Sequence, residues 1–176
     1  MNRRVLKWEL TGILIISIVG SLLHFVFDWA GKWPPIGAVA AVNESVWEHF
    51  KIAFWTALLY AILEHAVIRK STKNFAIAKA IGIYAIPIVI AIIFYSYTAI
   101  VGHSILAIDI SSFIVAIAIG QLISYKILIS RQLPVWTNSL GVILLVLLAI
   151  AFIIFTYFPP LLPVFRDEPT GNYGII

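Results

Sequence analysis

Four histidines, eight carboxylates and no cysteine make up the acid–base and ligating inventory of this 176-residue chain. Without thiols there is no disulfide framework, thiolate metal site, iron–sulfur cluster or cysteine nucleophile, so imidazole, carboxylate and hydroxyl must carry any chemistry. These groups concentrate in three short segments. His24 and Asp28 stand one turn apart at i,i+4 and share a helix face. In Asn43-Glu44-Ser45-Val46-Trp47-Glu48-His49, the pair Glu44 and Glu48 repeats that spacing. On a helix, His49 then lies about 100° around from Glu48. His103 and Ser104 open the third segment, with Asp109 less than two turns beyond.

Two carboxylates one turn apart repel unless a cation separates them. Lys51, at i+3 from Glu48, supplies part of that compensation, and a divalent ion would supply more. Imidazole nitrogen and carboxylate oxygen suit zinc and other first-row divalent metals, and three histidines with several acids complete a site with an open position. On this reading His24, His49 and His103 ligate zinc or another divalent metal, and Glu48 or Glu44 is the catalytic base. Asp28, Asn43, Lys51 and Asp109 are the supporting polar groups. The corresponding chemistry is metal-dependent hydrolysis, in which the ion lowers the pKa of water and an acid takes its proton. The same residues also admit a structural reading: a Glu48–Lys51 ion pair, His103 as a cap of the fourth helix, and His24 and Asp28 at a wet interface.

Other polar positions carry less. Glu64 and His65 read as an interfacial group with Arg69 near a helix end. Ser112, Ala116 and Gly120, at i,i+4,i+8, form a small-residue stripe suited to close helix packing, with Gln121 able to hydrogen-bond across it. There is no Walker loop, no GxGxxG and no GxSxG, so neither nucleotide binding nor an α/β-hydrolase triad is supported.

The elements that hold these segments follow from composition. With 62% hydrophobic residues, only 11% charged and a mean hydropathy of +1.03, the chain is excluded from the ordinary soluble class. At about 20 apolar residues per crossing, the length allows five or six spans and no separate globular domain. The expected fold is all-α: a polytopic membrane helix bundle forming a single transmembrane domain over 1–176. Its five transmembrane helices cover about 10–29, 44–68, 78–97, 103–128 and 136–157, and the tail is 158–176. The first run, with its aromatic and charged His24 to Trp29 end, reads as a retained signal anchor. Asn43 is placed to cap the second helix with Glu44 in its first turn, and Pro87 is tolerated inside the third.

Orientation comes from the bases. Nine of the twelve fall on one side: Arg3, Arg4, Lys7, Arg69, Lys70, Lys73, Lys79, Lys126 and Arg131. That side is cytoplasmic by the positive-inside rule, which puts the amino terminus inside and the tail outside. The expected location is the cell (cytoplasmic) membrane, with the lipid bilayer as partner. Bases flanking apolar runs are topology signals, so no nucleic-acid partner is expected despite a pI near 9.4. The five spans do not divide into inverted halves, and nothing in the sequence sets an oligomeric state. The tail is expected to fold back: Pro159, Pro160, Pro163 and Pro169 restrict it, while Leu161, Leu162, Val164, Phe165, Tyr173, Ile175 and Ile176 give it apolar surface.

Four stretches together resemble an uncharacterised family, a domain of unknown function, of small prokaryotic multipass membrane proteins. They are Leu23-His24-Phe25-Val26-Phe27-Asp28-Trp29, the Asn43 to Lys51 block, Gly102-His103-Ser104 with Ile108-Asp109-Ile110, and Phe158-Pro159-Pro160 onward to Tyr173-Gly174. The resemblance covers nearly the whole chain and implies the multipass fold, but no reaction. One departure is that Glu168 stands between Asp167 and Pro169, where the family pattern has proline directly after aspartate. A more distant analogy is to the ceramidase and adiponectin-receptor-like zinc hydrolases, which have seven spans and an HxxxH pair that this chain lacks. Three functions stay open from sequence: a metal-dependent hydrolase acting on a lipid or other amphipathic substrate, an ion or proton transport protein, and a haem-binding or structural membrane subunit.

Overall fold

The computed structural model describes residues 2–175 as an all-helical bundle, with no strand among them beyond one isolated bridge between Arg166 and Tyr173. Five helices are long and apolar enough to cross a membrane: α1 (Arg3–Trp29), α2 (Val46–Ile68), α3 (Phe75–Val101), α4 (Leu106–Leu128) and α5 (Trp136–Tyr157). Their outward surface is hydrocarbon-like. Leu14, Leu59, Ile92 and Leu147 are each more than half exposed, which suits lipid rather than water as the surrounding solvent.

Several helix ends differ from the sequence expectation for identifiable reasons. Helix α1 starts at Arg3 because the Asn2 side chain accepts the Arg4 and Val5 amides, so the basic segment winds into the helix. Asn43 does not cap α2. Its Oδ1 accepts the Ser45 amide at 2.9 Å in a local turn, the helix starts one residue after Ser45, and Glu44 lies outside it. Helix α3 runs on to Val101 and stops where Gly102 takes φ 86°, a left-handed value that glycine adopts without penalty. His103 therefore sits in the α3–α4 connection and neither begins nor caps α4, whose N-terminal flank is Ile105.

In lipid, burying apolar surface does not drive helices together, so close packing and buried polar bonds must. One very close approach is between α3 and α4. A Cβ on Gly82 would come within 2.6 Å of the Gly120 carbonyl, and one on Gly120 equally close to Gly82, so both positions require glycine. Ser112, Ala116 and Gly120 are all buried, and Gly120 packs directly on Gly82 and Ile86 of α3. Helix α2 is the centre of the bundle, contributing Phe50, Ala53, Phe54, Ala57 and Tyr60 to a core completed by Ile16, Ile86, Phe113 and Phe152.

At the end of the bundle where α1, α3 and α5 finish and α2 and α4 begin, the chain after α5 returns over the helices. Phe165 is buried against Trp47, with ring centroids 4.7 Å apart, and Asp167 is only 3% exposed. Of the apolar tail positions read from sequence, Ile176 lies outside the described residues.

Candidate functional site

His24, from the last turns of α1, and His49, from the first turn of α2, face each other with ring centroids 5.2 Å apart. Glu44, from the connection between those helices, reaches both. Its Oε2 lies 3.2 Å from His24 Nε2 and 4.0 Å from His49 Nε2. One ligand atom from each of the three residues falls within 4.8 Å of the other two. Ligand atoms around a tetrahedral zinc stand about 3.3 Å apart, so an ion here requires the His49 side to close by roughly 1 Å.

The ring of His49 is oriented for that task. Its Nδ1 lies 2.9 Å from the Ser45 carbonyl, which can only accept, so Nδ1 carries the proton and Nε2 presents its lone pair toward Glu44. Glu44 is held mainly by the hydrogen bond from His24. That bond, with the attraction of the His24 imidazolium, keeps the carboxyl below its ordinary range despite the opposing effect of partial burial.

The tail fixes the backbone beneath Glu44. Asp167 Oδ1 accepts the Glu44 amide at 2.7 Å, and Asn43 Nδ2 donates to the Gly174 carbonyl at 2.7 Å. Asp167 is itself set by Thr170, whose amide and hydroxyl donate to Oδ2 at 3.0 and 2.6 Å. Two sequence segments more than a hundred residues apart are thereby locked together beside the histidines.

The three residues lie on the wall of a cavity of about 550 Å³ between α1, α2, α3 and α4. Its remaining lining is chiefly apolar, including Ile52, Ile90, Phe94 and Phe113, with Ser21, Ser104, Ser112, Asp109 and, from the tail, Glu168 as polar exceptions. Phe25, Leu106 and Ile110 line the cavity and are also 52%, 74% and 51% exposed, so this wall borders the lipid. Asp109 is oriented by Tyr97, whose hydroxyl donates to Oδ1 at 2.5 Å and accepts the Ile105 amide at 3.1 Å.

The other residues singled out from sequence go elsewhere. Glu48 is 2% exposed and is not among the residues lining the cavity. Its Oε2 accepts the Val42 amide at 2.9 Å and Lys51 Nζ at 2.5 Å. Lys51 also donates to the Gly37 carbonyl at 2.7 Å and to Thr156 Oγ1 at 2.8 Å, which uses all three of its protons. This pair is a structural knot joining α2, the turn Pro34–Ala38 and α5, and Glu48 is not one of the three residues that come together as a ligand group. His103 is exposed and lies outside the three-residue group. Asp28 lines a separate cavity of about 120 Å³ beside His24 and Glu44.

At the opposite end Glu64 does not join Arg69. It is fully buried and pairs with Lys79, while His65 packs its ring on Phe75 at 4.8 Å. Lys79 also binds Glu9, at 2.7 Å. Glu9 carries no sequence signal: it follows Arg3, Arg4 and Lys7 and reads as part of a charged helix end, while its partner is 70 residues away.

Residues 1–175 match a family of unknown function, DUF6512, and the chain belongs to that family. No curated protein and no solved structure matches it.

Proposed function

We propose that this member of DUF6512 is a membrane-embedded, metal-dependent hydrolase that takes an amphipathic substrate from the bilayer. The observation that carries the reading is the convergence of His24, Glu44 and His49 on the wall of a largely apolar cavity open toward lipid. Three such side chains with a free side toward the cavity match the donor set of catalytic zinc, which keeps a fourth position for water or substrate. The Glu44 carboxylate lies between the two rings, an arrangement that suits an ion better than a haem.

When bound, a divalent ion supplies Lewis-acid polarisation and lowers the pKa of water. The protein's own groups supply the rest. Ile52, Ile90, Phe94 and Phe113 receive an alkyl chain, which places the polar end of the substrate beside the histidines. Asp109, held by Tyr97, is a carboxylate of the cavity wall outside the ligand trio, and it takes the base role that sequence gave to Glu48 or Glu44. It accepts the proton of the attacking water and returns it to the leaving group. In this reading the amino terminus is inside and the site faces the outer leaflet, as the positive-inside rule suggests.

The test is turnover of a panel of single-chain amides and esters by the purified protein in detergent, with and without added zinc. Metal-dependent hydrolysis, lost in Asp109→Asn with metal content retained, is the expected result. Absence of metal-dependent turnover across head groups and chain lengths contradicts the enzyme reading.

A further inference from the structure

The second buried cluster lies at the other end of the bundle and belongs to neither the cavity nor the histidines. Glu9 from α1 and Glu64 from α2 are fully buried, Lys79 from α3 is 2% exposed, and the single ammonium bridges both carboxylates. The remaining polar neighbours are neutral. Ser124 of α4 donates to Glu9 Oε1 at 2.9 Å, Gln121 of α4 reaches the Glu9 backbone carbonyl at 3.5 Å, and the Tyr60 hydroxyl of α2 donates to the Trp8 carbonyl at 2.5 Å. Among the described residues neither carboxylate pairs with a second cation. Three carboxylate oxygens, Glu9 Oε2 and both of Glu64, are buried without a hydrogen-bond partner, and Glu64 Oε2 meets only the Lys79 ammonium of the ion pair.

Fully ionised, the cluster carries one uncompensated negative charge in a low-dielectric interior. That state is unfavourable, and a group so placed takes up a proton instead. We propose that the Glu9–Lys79–Glu64 cluster is a proton-binding site holding one proton in the folded protein, carried by Glu64. The two acids are not equivalent. Glu9 accepts from both Lys79 and Ser124 and is the better-stabilised carboxylate, whereas Glu64 has Lys79 alone and an unpartnered oxygen that the proton converts to a hydroxyl. The site is independent of the proposed hydrolase and requires no metal.

Infrared spectroscopy of the full chain in lipid nanodiscs reads the protonated acid through its carbonyl stretch, which is absent from a carboxylate and shifts on deuteration. The wild type should show one such band at a near-neutral pH where exposed carboxylic acids are already ionised. Glu64→Gln removes the acid, and Glu9→Gln leaves a neutral Glu64–Lys79 ion pair, so each should abolish the band. Lys79→Met removes the cation and should double it. The wild-type spectrum decides even if a variant fails to fold: no protonated-acid band overturns the proposal. A band unchanged in both glutamine variants overturns it equally, because it then belongs to another residue.

Discussion

At the scale of single residues, similar side chains take opposite roles because their surroundings differ. Glu44 and Glu48 are four residues apart, yet Glu44 is half exposed between two imidazoles while Glu48 is sealed against Lys51. Removing one member of a buried, hydrogen-bonded pair leaves the other uncompensated. Lys51→Met should therefore destabilise the protein by about 3–5 kcal/mol. The Glu48→Gln/Lys51→Met double variant should recover part of that loss, measured by thermal unfolding in detergent, and neither change should alter the ligand trio. Asp167 acts on the trio indirectly by holding the Glu44 amide. Asp167→Ala should weaken metal affinity by roughly 10–100-fold, the usual effect of losing an outer-shell partner, with helix content unchanged. Titration with a competing chelator measures this.

At the scale of helices, the bundle depends on a few close approaches. Because a Cβ at Gly120 would meet the Gly82 carbonyl at 2.6 Å, Gly120→Leu forces α3 and α4 apart. The expected loss is about 1–3 kcal/mol or more, read as a lower unfolding temperature, while Leu147→Ala on the lipid face of α5 should have little effect. The helices themselves were legible in the sequence, since five long apolar runs need only hydropathy to be found. Their ends were not. Asn43 forms a local turn instead of a cap, and Gly102 stops α3 short of His103, so His103 falls in a connection where sequence spacing had put it on a helix. Periodicity could pair His24 with Asp28, but only the fold pairs it with Glu44. Glu9 was invisible for the same reason, because its partners on α3 and α4 are brought to it by packing.

At the scale of the whole molecule, the structure sharpens the charge asymmetry. Lys79 and Lys51 are buried ion-pair partners rather than loop charges, and setting them aside leaves eight bases at one end and two at the other. Thr170→Cys should then be labelled from outside intact cells, and Ser71→Cys only after the inner face is opened; the reverse pattern inverts the orientation. The tail, the α1–α2 connection and the first turn of α2 close together over one end of the cavity, and the candidate site exists only when all three are in place. Elemental analysis of the purified full chain shows whether His24, Glu44 and His49 form the proposed divalent metal site. One transition-metal ion per chain is expected, lost in His24→Ala and His49→Ala and retained in His103→Ala. A metal-free protein that takes up no added zinc, or one whose metal content is unaffected by both histidine substitutions, would contradict it.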